Sequence, residues 1–171
     1  MATQTNGTQT IDLRDRKILA LVQRDAKLAQ AEIARRVGLS TAAVNERLHK
    51  LEAAGFLRRY VAVVDPKAVG AGIAAFVEVF IEHPRHEPEF IEVVRGLDEV
   101  QECHHITGEF SLLLKVRVAD MPALQTLLLE QLSGHEGVRQ TRTVMVLSTV
   151  KEATFVDATG PGAVRAGGEE S

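Results

Sequence analysis

One change of rhythm constrains this chain more than any other feature. Up to about Gly55 the apolar residues recur at helical spacing; beyond it β-branched runs alternate, interrupted by two helical stretches. A single switch of period predicts a helical unit followed by a mixed one, an α+β organisation. Thr, Gln, Asn and Gly dominate residues 1–10, and "DATGPGAVRAGGEES" from Asp157 has no periodic apolar face, so both ends are expected to be disordered tails.

In the helical part, Asp12 is a natural N-cap, Asp15 sits where a carboxylate meets the positive end of a helix dipole, and Ile18, Leu21 and Val22 form an apolar stripe. A short second helix is expected over about Gln30–Val37, ended by Gly38 as a left-handed cap. Ser40 then caps a third helix that buries Val44, Leu48 and Leu51 and stops at Gly55. Short helix, glycine turn and a helix with one polar face make the layout of a helix-turn-helix.

At about 100° per residue, Ala42, Glu46, His49 and Lys50 point away from the third helix's core, with Thr41, Asn45 and Arg47 on its flanks. This face suits a DNA major groove. Asn45 can pair with adenine, Glu46 can accept from cytosine, and Arg47 or Lys50 can reach guanine or a phosphate. Ser40 and the first-turn N–H groups offer a phosphate site, and Thr41 and Ala42 are small enough for close approach. After Gly55, "FLRRYVAVVD" reads as a linking strand whose Arg58 and Arg59 add backbone contacts. The rival reading, a three-helix core with an incidental polar face, must meet the charge distribution. The whole chain carries −3, yet residues 11–60 hold 11 Lys/Arg against 6 acids while the rest hold 9 against 17. A polyanion partner for the first part explains that split.

From Ala71 onward the strands are expected over Ile73–Ile81, Val100–Thr107, Ser111–Val118 and Gly137–Val150, and the helices over Pro88–Leu97 and Met121–Leu132, the latter capped by Asp120. The order βαββαβ is that of a ferredoxin-like sandwich, with both helices on one face of an antiparallel sheet. Phe76 with Val77 and Val79 with Phe80 place apolar groups on both faces of the first strand, so a second subunit is expected to cover the open one. The domain boundaries follow: tail 1–10, helix-turn-helix 11–60, linking strand and linker 61–71, sandwich 72–156, tail 157–171.

Composition removes other classes. Cys103 is the single cysteine, no apolar run approaches the roughly 18 residues of a membrane span, and the first ten residues lack the basic start and apolar stretch of a secretory signal. The expected setting is the cytoplasm. Cys103, His104 and His105, with His83 and His86, do not make a metal site: neighbours on a strand face opposite ways, and no second cysteine completes a ligand set.

Residues Ile11–Val156 resemble the Lrp/AsnC, or feast/famine, transcriptional regulators. The resemblance is carried by "IDLRDRKILALVQRDAKLAQAEIARRVGLSTAAVNERLHKLEAAGFLRRYVAVVDPKAVG" for a winged helix-turn-helix DNA-binding domain, and by "VQECHHITGEFSLLLKVRVADM" with "GVRQTRTVMVLSTVKE" for an effector-binding domain. It implies homodimers, often assembled into octamers, that bind pseudo-palindromic double-stranded operators and respond to an amino acid held between dimers. It places that effector at Thr107, Gly108, Glu109, Phe110 and Ser111, with His104 nearby, and implies no cofactor. Gly108 lets a main-chain N–H approach a ligand carboxylate, and Glu109 can balance its ammonium. The chain departs from the family where Gly-Asp-Tyr-Asp is common: Gly108-Glu109-Phe110-Ser111 lacks a tyrosine hydroxyl and a carboxylate. Members also often carry arginine at Glu46 and serine at Ala29. Two other readings compete, a sirohaem-decarboxylase-like enzyme of the same fold and an effector-sensing oligomer without DNA binding. Neither needs a basic N-terminal part.

Overall fold

The computed structural model describes residues 11–159; the tail expected over 1–10 and residues 160–171 of the tail expected over 157–171 lie outside the described residues. The chain divides into one unit made of residues 11–62 with 152–159, and a second unit, Val63–Lys151.

The first unit holds α1 (Leu13–Arg24), α2 (Gln30–Val37) and α3 (Thr41–Ala53). Asp12 caps α1 in a capping box: its carboxylate accepts from the Asp15 N–H, and the Asp15 carboxylate accepts from the Asp12 N–H. Three stripes meet in one core: Ile18, Leu19 and Val22; Ile33, Ala34 and Val37; Val44, Leu48 and Leu51. Leu19 takes the buried place expected for Leu21, which packs at the edge.

Two expectations need correction here. The segment around Arg58 to Val64 forms no ladder and exposes Tyr60, Val61, Val63 and Val64, because no strand of the described chain lies beside it. Residues 152–158, expected in the sandwich or the tail, instead run along α1. Gln23 closes a reciprocal pair with the Val156 backbone (2.9 and 3.1 Å), Arg16 donates to the Ala158 carbonyl at 2.9 Å, and the Arg24 guanidinium stands 5.2 Å from the centre of the Phe155 ring.

The second unit is the expected sandwich. Its sheet runs β2 (Val100–His105), β3 (Leu112–Val118), β1 (Ile73–Ile81), β4 (Val138–Met145), with every pairing antiparallel. One sheet face supplies Ala75, Val77, Val79 and Ile81 from β1 and Leu112, Leu114, Val116 and Val118 from β3. Against it pack Phe90 and Val94 of α4 (Glu87–Arg95) and Leu124, Leu127 and Leu132 of a second helix. That helix starts as α5 (Met121–Thr126), capped by Asp120, and continues through Leu127–Leu132 in π-type hydrogen bonding. A 3₁₀ turn, Pro84–His86, leads into α4. β4 ends at Met145 rather than Val150, and Leu147 and Val150 are almost wholly exposed. The other sheet face is uncovered: Phe76 lies between Lys115 and Val144, and Glu78 between Leu113 and Arg142. Phe76 and Val144 are exposed there, as the two-faced pattern of β1 predicts.

Candidate functional site

The turn that presents α3 is built by local chemistry. Gly38 adopts φ +69°, a region that penalises any side chain, and directs the Leu39 N–H back to the Ala34 carbonyl at 3.0 Å. Ser40 accepts from the Ala43 N–H at 3.2 Å and starts α3. Burial of Val44, Leu48 and Leu51 then leaves Thr41, Ala42, Asn45, Glu46, His49 and Lys50 exposed on one face.

The pairing on this face decides its electrostatics. Lys50 and Glu46 form an ion pair at 2.6 Å, one turn apart and both exposed, and the ammonium holds the Glu46 carboxyl below its ordinary value. Asn45 Oδ1 accepts from Gln30 of α2 at 3.1 Å, a link sequence patterning gave no sign of. His49 lies 3.6 Å from Glu52, which also accepts a hydrogen bond from Tyr60. Arg58 and Arg59 are exposed without a carboxylate partner among the described residues, as phosphate contacts require.

Arg47 departs from its expected place. It is half-buried, and its Nη1 donates to Asp12 Oδ2 and Asp15 Oδ1, both at 2.7 Å. The signal was available in the sequence: Arg47 lies only about 60° around the helix from Val44, nearer the core than the outward face.

In the second unit the expected effector residues separate into three groups. Thr107, Gly108 and Glu109 form an exposed turn between β2 and β3; Gly108 has φ +121°, with no atom within 4 Å of where a side chain would start. Phe110 and Ser111 also take part in the sheet's own packing and bonding. Phe110 is buried beneath the Arg142 guanidinium, 5.0 Å from its ring centre. Ser111 donates its N–H to the Val79 carbonyl and accepts one from Ile81 through its hydroxyl. His104 stands apart on β2, where it contacts Glu102 at 3.3 Å, while Lys115 holds the other Glu102 oxygen at 3.1 Å. His105 pairs with the Glu87 carboxylate, but among the described residues no group of three or more His, Cys, Asp or Glu has metal-binding geometry.

Comparison with known proteins gives these two surfaces a context. Residues 11–58 match a family model described as a winged helix-turn-helix DNA-binding domain, and residues 74–156 match the Lrp/AsnC ligand binding domain. The leucine-responsive regulatory proteins of Klebsiella pneumoniae and Escherichia coli K12 are 39% identical over 145 residues, spanning 84% of this chain and 88% of theirs. A transcriptional regulator of Neisseria meningitidis solved as an L-Met complex aligns with TM-score 0.81 at 36% identity, over 85% of this chain and 95% of that one. The E. coli AsnC structure aligns with TM-score 0.80 at 28% identity, over 86% and 99%. The two leucine-responsive proteins and the Neisseria protein are named as regulators; the helix-turn-helix match lies within the first unit, and the ligand-binding match covers the second and continues into residues 152–156 of the first. The chain belongs to the Lrp/AsnC family of transcriptional regulators, joining a helix-turn-helix DNA-binding domain to an Lrp/AsnC ligand-binding domain.

Proposed function

We propose that this regulator acts in the cytoplasm on genes of amino-acid metabolism, binding pseudo-palindromic operators as a homodimer that assembles further, to an octamer, and responding to an amino acid held between dimers. The observation that carries the reading is the exposed face Thr41, Ala42, Asn45, Glu46, His49 and Lys50 set behind the Gly38 turn. Ser40 and the first amides of α3 take a phosphate, and Arg58 and Arg59 take others. Lys50 reaches DNA only by exchanging Glu46 for a phosphate or guanine, so Glu46 tempers the helix and penalises non-specific binding.

The amino-acid effector is supported by the leucine-responsive relatives and by the relative solved with L-methionine. The turn Thr107–Glu109 is its place here, with Phe110 and Ser111 as the floor. In one chain the turn is an open loop, so a second dimer completes the pocket. The uncovered Phe76 and Val144 and the unladdered segment around Tyr60 are the surfaces a second copy satisfies.

Capture of genomic DNA by the purified full chain, with and without each amino acid, tests the whole reading. Enrichment of inverted-repeat sites that shifts with one amino acid supports it. Gly108→Val, expected to abolish the thermal shift given by that amino acid while leaving dimers intact, tests the pocket. An unchanged shift refutes the pocket assignment.

A further inference from the structure

Arg47 sits midway along α3, yet it is turned away from the face that α3 offers. Its partners are the two carboxylates of the α1 capping box, and their four oxygens divide cleanly. Asp12 Oδ1 accepts the Asp15 N–H at 2.8 Å and Asp15 Oδ2 accepts the Asp12 N–H at 3.0 Å; Asp12 Oδ2 and Asp15 Oδ1 both accept Arg47 Nη1 at 2.7 Å. The cap that starts α1 is therefore also a socket for α3. Asp15 is 14% exposed and Arg47 29%, so this triad is sheltered more than an ordinary surface ion pair, while Asp12 at 51% remains its open side.

We propose that Arg47 is a positioning residue of the DNA-binding domain and not one of its DNA contacts: clamped by Asp12 and Asp15, it fixes the rotation of α3 about its axis and so aims Asn45, Glu46 and Lys50. The apolar stripe Val44, Leu48 and Leu51 holds α3 on the core, but apolar contacts are non-directional and let a helix roll. A charged pair with defined donors, set on one flank of the stripe, removes that freedom. The Gln30 to Asn45 bond braces the other flank, so the reading face is held from α1 on one side and α2 on the other. For Arg47 to reach a phosphate, two carboxylates would have to surrender their shared cation, one of them sheltered.

The inference rests on α3 as the reading element, and Lys50→Ala checks that separately. The test compares full-chain variants on a duplex that the wild-type chain selects from a random-sequence pool and on a scrambled duplex, across a salt series. Arg47→Gln weakens the selected duplex about five- to tenfold, barely changes the scrambled one, and leaves the slope of log affinity against log salt unchanged. Asp15→Asn and Asp12→Asn weaken it in the same sense, although removing an acid from a DNA-binding surface otherwise strengthens binding. Asparagine serves as an N-cap as well as aspartate does at Asp12, and at Asp15 its amide oxygen still accepts the Asp12 N–H, so the start of α1 survives either change. The double variant Arg47→Gln with Asp15→Asn is no weaker than the worse single, because the two act through one contact.

A fall in the salt slope of about 0.9 on Arg47→Gln, with tighter binding on Asp15→Asn, would make Arg47 a phosphate contact and overturn the proposal. So would unaltered affinity in all three single variants. Lys50→Ala weakens the selected duplex if α3 faces DNA, lowering the slope by about 0.9 where Lys50 holds a phosphate and leaving it unchanged where it holds guanine. Unchanged affinity together with an unchanged slope there rejects the reading face rather than the clamp, whose coupling then shows as non-additive melting temperatures of the same variants.

Discussion

Gly137 stands at the entrance to β4, and its replacement by alanine is the most sharply defined perturbation this fold offers. Its φ is +86°, and a side-chain carbon added there would lie 2.3 Å from His86 Cβ and 2.4 Å from His86 Cγ. The conformation alone costs a non-glycine residue about 1–2 kcal/mol. The overlap adds about 1–3 kcal/mol, since His86 is 16% exposed and belongs to the 3₁₀ turn that leads into α4. Together these give roughly 2–5 kcal/mol, a large part of the roughly 5–15 kcal/mol that holds a typical domain folded. Gly108→Ala is the internal standard: φ is +121° but nothing lies near, so only the conformational part, about 1–2 kcal/mol, applies. Urea unfolding followed by circular dichroism measures both. The Gly137→Ala midpoint falls by about 1–3 M, and the Gly108→Ala midpoint by less. Adding His86→Gly to Gly137→Ala recovers part of the difference; His86→Ala does not, because the first obstacle is the β-carbon that alanine retains. Equal losses in the two glycine variants would refute the argument. The effect reaches the turn between β2 and β3 as well, because the Gly137 carbonyl accepts from the Glu82 N–H at 2.8 Å and so helps set the β4 register that places Arg142 over Phe110.

Three further outcomes are expected. Arg58→Ala or Arg59→Ala weakens binding to selected and scrambled duplexes alike and lowers the salt slope by about 0.9 each, read by anisotropy titration; a sequence-selective loss would contradict their assignment to the backbone. Tyr60 is the only tyrosine in a chain without tryptophan, so its phenolate absorbance reports it alone. Although the residue as a whole is exposed, partial desolvation first, and then the hydrogen bond to Glu52, push it up to about 12, and Glu52→Gln lowers the midpoint only partway because the desolvation remains. Glu32 is held down to about 2 by hydrogen bonds from Arg35 and then Arg36. Since its folded value is depressed from 4.5, its contribution to stability is complete above that pH and disappears as pH falls toward 2; a carboxyl carbon titration that places Glu32 near 4.5 would contradict this.

What the sequence disclosed was what is decided locally. The N-caps Asp12, Ser40 and Asp120 each accept the N–H three residues on, because that geometry needs only four consecutive residues. α2 and β1 occupy the expected spans because Gly38 and the alternation in Ile73–Ile81 punctuate them. What stayed hidden depends on distant partners. Arg47 looked free until α1 brought Asp12 and Asp15 to it; the linking stretch and the end of β4 carry strand composition, but strands require a neighbour. The exposed face of α3 was legible from its period, whereas the tie between Gln30 and Asn45 needed the packing of α2 on α3. Phe110 and Ser111 belong to the sheet's own construction as much as to any ligand, a division no turn motif conveys.

The return of residues 152–158 to α1 makes the ligand-binding domain, topologically, an insertion within the helix-turn-helix unit. Closing a flexible loop as long as Val63–Lys151 costs about 4 kcal/mol in chain entropy. The sheet removes most of that burden: β1 and β4 are neighbours, Ala75 faces Met145, and the Val146 N–H reaches the Ala74 carbonyl at 2.9 Å. Once the sheet forms, the two chain segments leading to and from the insertion depart side by side, and only short connectors remain to be ordered. The hold of residues 152–158 on Gln23, Arg24 and Arg16 thus draws on the integrity of a sheet to which none of those residues belongs. A helix-turn-helix excised as one contiguous cassette would keep its three helices and lose that support.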